Sequence, residues 1–343
     1  VKILVSGFHN PLYPTIVEYI ENAVKSIGHN LISFDDHQYI FPGRVRTLLP
    51  RLNRWDSNHV NRKLYNLVAK EKPDLVIITQ GFLVLKETVN KIRNLGIPVI
   101  LWVIDAPINF SNILDTGPYY DFIFCGGTEA IEIFEKLGYK NIEWLPFAYD
   151  SSMNFSYSTL ETGKKIISEE VVFVGSHYPN RERIFESLVD RGHSMNIWGS
   201  GWDKVSLNSP LKKYIHKTHT TSEEWMQIYD GSKIILVIHY PSTNRIPVYQ
   251  ASPKIYEALA CGGFVISDNQ KDVRTLFKEG VHLAIFSNLD DLDNKISYYL
   301  DHEEIRQQIA AQGQLEVQTK HTYKVRIKKM LNTLNSSGIL SIH

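Results

Sequence analysis

SPKIYEALACGGFVISD, residues 252 to 268, reads as a capped helix, a glycine stop and a buried strand. Ser252 suits the N-cap, Pro253 takes the first helical position where its missing N–H costs nothing, and Gly262 and Gly263 end the helix. In a parallel sheet, a helix that starts at a strand's carboxyl end offers unpaired amides and a positive dipole to an anion such as a diphosphate. Lys254 adds a full positive charge in the first turn. Glu257 follows at i+3 on the same face, where a carboxylate can reach two ribose hydroxyls while the amides hold the phosphates. The same residues also suit a capped core helix with a solvated Lys–Glu pair, and the local pattern leaves both readings standing.

Outward from this joint, short apolar runs alternate with amphipathic stretches along both halves of the chain. In the first half the spacing predicts strands at 2–6, 30–34, 75–79, 98–103 and 122–125, with helices at 14–27, 60–70, 85–95 and 128–137. In the second half strands are expected at 171–174, 195–198, 233–238, 264–267 and 282–286. Helices are expected there at 181–190, 222–229, 252–260, 273–277, 289–302 and 303–321, before a tail segment to about residue 334. Strand and helix in alternation imply parallel sheets covered on both faces. The stretch SSMNFSYSTLETGKKIIS at 151–168 is polar and aperiodic, which marks a linker. The expected organisation is a Rossmann-like domain over 1–155, a linker over 156–168 and a second Rossmann-like domain over 169–320. The carboxyl ends of the two doubly wound sheets would face across a cleft.

Composition bounds the rest. At 343 residues the chain has room for two cores, and 43% apolar with 22% charged residues is an ordinary globular balance. Lys plus Arg and Asp plus Glu number 37 each, so no global field draws nucleic acid or an anionic membrane, and an anionic ligand needs local groups. The longest apolar runs are strand-length, too short for a membrane span. With only Cys125 and Cys261, and no basic-then-apolar signal at the start, the expectation is a cytoplasmic protein without a disulfide framework.

Three stretches carry a family resemblance: KIYEALACGGFVI at 254–266, VVFVGSHYPNRERIFESL at 171–188 and NIWGSGW at 196–202. Together with the closing run LFKEGVHLAIFSNLDDLDNKISYYLDHEEIRQQIAAQG and HTY at 321–323, they resemble the CgeB and YkvP spore-protein-like bacterial glycosyltransferases. The resemblance covers about residues 170–330. It extends only weakly into the first half, through VILWVIDAP at 99–107 and NIEWLPFAYD at 141–150. It implies the two-domain GT-B fold, with the acceptor side in the first domain, a nucleotide-sugar donor in the second, and residues 321–343 packing back toward the first. In the wider retaining relatives a glutamate at the position of Glu257 binds the ribose. Those relatives often carry a second glutamate eight positions earlier, where this chain has Tyr249.

Other residues take expected roles beside these. Gly175 and Ser176 close the second domain's first strand, where glycine permits close approach to a phosphate. Arg181 and Arg183 follow, and their planar forks suit a diphosphate, although arginines in a first helical turn are commonly solvated. Trp198, Gly199, Gly201 and Trp202 form a strand end and a tight aromatic loop that either flanks the nucleotide or belongs to the core. In the implied architecture the loop at 217–221 borders the base, so Thr218 and His219 are expected to make backbone contacts to a pyrimidine. His216 and His219 lack the further ligands of a zinc site. The loop YPSTNRIPVYQ at 240–250 offers Asn244 and Arg245 to the donor sugar, or is a surface loop. In the first domain His9 and Asp105 end strands and, if the reaction inverts the anomeric centre, are candidate bases toward an acceptor hydroxyl, or else loop-capping residues. Gln80 and Gly81 are candidates for acceptor recognition.

The expected activity is metal-independent transfer of a hexose-like sugar from a nucleoside-diphosphate donor, UDP- or dTDP-linked, to a hydroxyl acceptor of carbohydrate, protein or other origin. No D-x-D signature in a metal-binding context is present, and no resident cofactor or metal is expected. A nucleotide-sugar 2-epimerase of the same fold is an alternative, as is a non-catalytic nucleotide-sugar-binding or spore-surface protein, kept open by Tyr249. Neither half has G-x-G-x-x-G after its first strand, which disfavours a dehydrogenase.

Overall fold

The computed structural model describes residues 1–11, 13–105, 107, 110–152, 169–216, 220–241 and 247–341. The expected linker 156–168, and the positions of Thr218, His219, Asn244 and Arg245, lie outside these. The chain divides into two compact units, Val1–Pro146 with Tyr323–His343, and Phe147–Thr322. The crossing thus falls at Pro146/Phe147, upstream of residue 155.

Unit 1 runs β1 (Lys2–Gly7), α1 (Ile16–Ser26), β2 (Asn30–Asp35), α2 (Gly43–Leu48), α3 (Pro50–Glu71) and β3 (Leu75–Thr79). It continues with α4 (Lys86–Arg93), β4 (Val99–Val103), α5 (Ser111–Thr116), β5 (Phe122–Cys125), α6 (Thr128–Lys136) and β6 (Ile142–Trp144). Its six strands are all parallel, in the order β2-β1-β3-β4-β5-β6. Every residue of β3, β4 and β5 is buried, as strands covered on both faces must be. The entry to α1 is fixed by a capping box: the Thr15 hydroxyl accepts from the helix and Glu18 reaches back to the Thr15 N–H at 2.7 Å.

Unit 2 runs β7 (Glu169–Val174), α7 (Pro179–Asp190), β8 (Asn196–Trp198), α8 (Ser222–Gly231), β9 (Ser232–Val237) and α9 (Pro253–Ala260). Then come β10 (Val265–Asp268), α10 (Lys271–Leu276), β11 (Ala284–Phe286), α11 (Leu289–Asp301) and α12 (Glu303–Lys320). Its five parallel strands lie in the order β11-β10-β9-β7-β8. Trp202, fully buried, stacks on Phe185 at 5.6 Å and meets the Phe173 edge at 6.0 Å, filling the core beneath β7 and α7.

The chain then returns to unit 1 as α13 (Tyr323–Ser336), which packs on α1 and buries Ile327, Met330, Leu331 and Leu334. Arg326 Nε donates to the Pro146 carbonyl at 2.8 Å, and Lys329 pairs with Glu143 at 2.8 Å. Burying such aliphatic side chains contributes about 1.5–3 kcal/mol each.

Both strand orders reverse direction once. In unit 1 the reversal lies between β1 and β3, in unit 2 between β7 and β9. At such a point the connections leave in opposite directions and open a crevice at the carboxyl ends of the two strands, where ligands of open α/β sheets bind. Among the described residues, no helix is long and apolar enough to cross a membrane.

Candidate functional site

Around the crevice of unit 2, backbone geometry comes first. Gly175 leaves β7 with its N–H on the Trp198 carbonyl (2.8 Å) and its own carbonyl accepting from Trp202 Nε1 (2.7 Å). Gly199 follows β8 at φ +137°, and a Cβ there would lie 2.1 Å from the Gly175 oxygen. Only glycine lets these two strand ends touch. The contact is extended by His177 N–H on the Ser200 carbonyl at 2.8 Å and by the Ser176 and Ser200 hydroxyls at 3.0 Å.

The start of α9 closes the other side. Ser252 caps the helix through its hydroxyl, which accepts from the Lys254 N–H at 3.4 Å. The Ser252 N–H itself donates to His239 Nε2 at 2.8 Å. On the far side of that ring, His239 Nδ1 donates to Asp268 Oδ1, which also takes the His239 N–H at 3.1 Å, while Gln270 Nε2 donates to Oδ2 at 3.0 Å. Since Nε2 accepts a backbone N–H, the proton sits on Nδ1, and the dyad fixes the tautomer that braces the helix start. Burial alone would raise the Asp268 carboxyl, but the His239 ring and the Gln270 amide outweigh it and hold it below the ordinary aspartate value. His239 directly follows the IILVI run and Asp268 ends β10. A polar residue closing an apolar strand is their only trace in the sequence.

The charged groups lie over this frame. The Lys254 side chain runs beside Gly175, whose added Cβ would stand 3.4 Å from Lys254 Cε. Lys254 and Glu257 are both half-buried. Neither the Lys254 ammonium nor the Glu257 carboxylate has a hydrogen-bond or ion-pair partner among the described residues. Burial pushes the Lys254 pKa down, with Glu257 opposing and the nearby Arg181 adding to the shift. Burial likewise pushes the Glu257 carboxyl up against the pull of Lys254. Two desolvated, unpaired charges of opposite sign in one helical turn are costly for folding alone and suit a ligand that is anionic at one end and rich in hydroxyls beside it. Two buried amide oxygens at the same end of the sheet, Asn180 Oδ1 and Gln250 Oε1, also lack a partner among the described residues.

Arg181 differs from the expectation of a freely reaching first-turn arginine. It is 8% exposed, with Nε donating to the Ile238 carbonyl at 2.9 Å, Nη2 to the same oxygen and Nη1 to the Ser176 carbonyl at 2.7 Å. Its fork therefore straps the carboxyl ends of β7 and β9, and burial pushes its pKa down to about 10, still charged at neutral pH. It brings positive potential to the crevice without a free arm. Arg183, two residues on, is exposed on the outer side of α7. Trp198 is buried and stacked on His216 at 4.4 Å, a core position. Tyr249 carries the Lys271 ammonium 4.8 Å over its ring. The structure thus gathers Gly175, Ser176, Arg181, Gly199, Ser252, Lys254 and Glu257, and leaves Arg183 and Trp198 aside.

In unit 1, Gly7 ends β1 so close to its neighbours that a Cβ would meet Thr79 Oγ1 at 2.0 Å. Across the reversal Gln80 adopts φ 65°, a left-handed conformation that costs a non-glycine residue about 1 kcal/mol or more. His9 Nδ1 lies 3.1 Å from the Gly7 carbonyl and Nε2 lies 2.9 Å from Glu21 Oε1. Burial opposes its charge, yet Glu21, Glu18 and the Gly7 carbonyl prevail and raise its pKa. Both ring nitrogens are thus engaged by groups of unit 1 itself, with the Ser33 hydroxyl also 3.1 Å from Nε2. Asp105 lies just past β4, half-buried.

With this geometry in place, comparison with known proteins is informative. Residues 181–332 match a family described as glycosyl transferase-like. Spore protein CgeB of Bacillus subtilis strain 168 is 21% identical over 262 residues, which is 74% of this chain and 80% of that relative. Among solved structures, Anabaena HepE in complex with UDP and glucose superposes with a TM-score of 0.68 at 14% identity, covering 98% of this chain and 99% of that one. Sucrose-phosphate synthase of Thermosynechococcus elongatus gives 0.68 at 11% identity, with 98% and 99% coverage. These neighbours are GT-B proteins, and the fold of paired parallel α/β units is theirs. Fold and family match together make the chain a GT-B glycosyltransferase similar to CgeB, its glycosyl transferase-like module spanning residues 181–332.

Proposed function

We propose that unit 2 binds a uridine- or thymidine-diphosphate sugar, with the pyrophosphate against the start of α9 and Lys254, and with the ribose hydroxyls on Glu257. The observation that carries this is the pair of half-buried, unpartnered charges one turn apart, set at the β7–β9 reversal. The choice of uridine over other bases is supported by the UDP and UDP-glucose complexes of the structurally similar HepE.

In the proposed reaction the bond between the sugar's anomeric carbon and the β-phosphate oxygen breaks, and one from that carbon to the acceptor hydroxyl oxygen forms. The acceptor's proton passes to the Asp105 carboxylate, and the electron pair of the broken bond leaves on the diphosphate. Lys254, the strapped Arg181 and the α9 dipole stabilise that leaving charge, which is the role a divalent ion plays in other transferases. Tyr249 in place of a carboxylate makes the donor-sugar subsite aromatic and, through Lys271, cationic.

Calorimetric titration with UDP, dTDP and GDP tests the reading. Micromolar binding of UDP or dTDP, weakened at least tenfold by Lys254→Met, is expected. Failure of all three to bind would sink the assignment.

A further inference from the structure

In unit 1, in the stretch from α2 into α3 that follows β2, charge and exposure combine in a way that the proposed donor site of unit 2 does not use. Between residues 37 and 70 the chain carries seven Lys and Arg but a single carboxylate, Asp56, although the whole protein is neutral. Asp56 is fully buried and spent internally: Oδ1 accepts from the Ile40 N–H at 3.0 Å and Oδ2 from the Phe41 N–H at 3.1 Å. Arg46 is also consumed, its Nε donating to the Phe41 carbonyl at 3.2 Å and its guanidinium lying 3.5 Å over the Tyr39 ring. These bonds tie the 40–41 loop to α2 and to the first turns of α3.

What remains outside carries no carboxylate between residues 37 and 70 and is dominated by cationic and apolar side chains, with the neutral Thr47, Asn53 and Asn58 among them. Arg44, Arg51 and Arg54 are exposed, with no partner among the described residues. Leu48 is 80% exposed, and Leu49, Ile40 and Trp55 are each about half exposed. On α3, Arg51, Arg54 and Trp55 fall at i, i+3 and i+4 and share the outward face. Phe41 meets the Trp55 ring edge at 5.7 Å, so the loop's apolar side chains adjoin that face. Arg54 and Arg62 also border, with Lys91 and Glu87, a hollow of about 800 Å³ beside α3 and α4.

We infer that this face is a peripheral docking surface for an anionic lipid bilayer. The arginines and the hollow meet lipid phosphates, while Leu48, Leu49, Ile40 and Trp55 enter the headgroup boundary. Leucines and a tryptophan at that depth gain from leaving water, and tryptophan favours the water–lipid interface. A polyanion alone would leave the leucines unrewarded. A second copy of the chain, docked through the same face, would set like charges against each other without compensating carboxylates.

The test uses the full-length protein, sedimented with vesicles of phosphatidylcholine alone or with about one third phosphatidylglycerol. We expect binding to the anionic vesicles only, falling as salt rises from about 0.1 to about 0.5 M. Neutralising two arginines as Arg51→Gln with Arg54→Gln should weaken partitioning about 25-fold, at about fivefold per charge. Leu48→Ser with Leu49→Ser should weaken it comparably, and Trp55→Ala provides an independent third substitution. All these positions are exposed, and unchanged melting curves verify that the variants fold. The inference is overturned if the wild type binds neither vesicle or both equally. It is also overturned if light scattering shows a dimer that these substitutions dissociate while vesicle binding persists, or if anionic binding ignores the leucine substitutions, which would point to an acidic polymer.

Discussion

Replacing Glu257 by glutamine separates a ligand group from a structural one, because the two roles demand opposite signs. In the ligand-free protein the carboxylate is half-buried without a partner, and burial raises its pKa even with Lys254 nearby. A folded-state pKa above the unfolded value means that the native protein holds the extra proton, so this group's contribution to stability falls as pH rises from the ordinary glutamate range through the folded pKa. At neutral pH Glu257 is therefore a net cost, attraction to Lys254 included, and an isosteric neutral amide removes it. Single stabilising substitutions commonly yield about 0.5–2 kcal/mol. For a unit of this size a gain of about 1 kcal/mol raises Tm by about 2–4 °C. In the complex the same change exchanges charge-assisted hydrogen bonds to ribose hydroxyls for neutral ones, a loss of about 1–1.5 kcal/mol per bond, or roughly 5- to 13-fold in Kd for each. Differential scanning fluorimetry at neutral pH and calorimetry with UDP read the two effects on one sample. The expected result is a higher Tm with weaker binding. A lower Tm with unchanged UDP affinity would refute the reasoning, since Glu257 would then hold the protein together and leave the nucleotide untouched.

Three further outcomes follow from the same geometry. His239→Phe orphans the Ser252 N–H and strips Asp268 of its partner, so it should cost at least about 1–3 kcal/mol and weaken UDP binding through a misplaced helix start. Because the folded Asp268 pKa lies below its ordinary value, the stability it supplies is present above the unfolded pKa of about 3.8 and disappears as pH falls through the folded one; an acid melt of Asp268→Asn should lack that limb. Arg181→Met should destabilise by about 3–5 kcal/mol by exposing the Ser176 and Ile238 carbonyls to an apolar neighbour, whereas Arg183→Ala should stay within about 0.5 kcal/mol; equal effects in urea melts would contradict the strap. Asp105→Asn should lower transfer turnover by about 10²- to 10⁴-fold while UDP affinity is kept, and loss of both together would point to a fold defect.

How far the sequence carries this reading depends on how local each feature is. The strands Leu75–Thr79 and Phe122–Cys125 stand where their apolar runs place them, because double coverage makes every residue hydrophobic. The N-terminal half of α3 escapes the same logic. Its outer face carries Arg51, Arg54 and Trp55 and its inner face the polar Asp56, so no apolar period announces a helix before Val60. The edge strand β6, three residues long and half-buried, is too short to register. At the site, Ser252, Lys254 and Glu257 are legible because a cap and an i+3 pair are local. The bracing by His239 and Asp268, and the capture of Arg181 by two strand ends, depend on which strands lie side by side. That order is set by packing far along the chain.

The return of α13 to unit 1 has a consequence for synthesis. The unit whose strands emerge first from the ribosome lacks the partner for α1 until every residue of unit 2 has been made, so its apolar flank waits uncovered while the later unit can finish on its own. Translation order and folding order are thereby reversed at the last step, and a nascent chain released before Tyr323 would carry a completed unit 2 tethered to an unfinished unit 1.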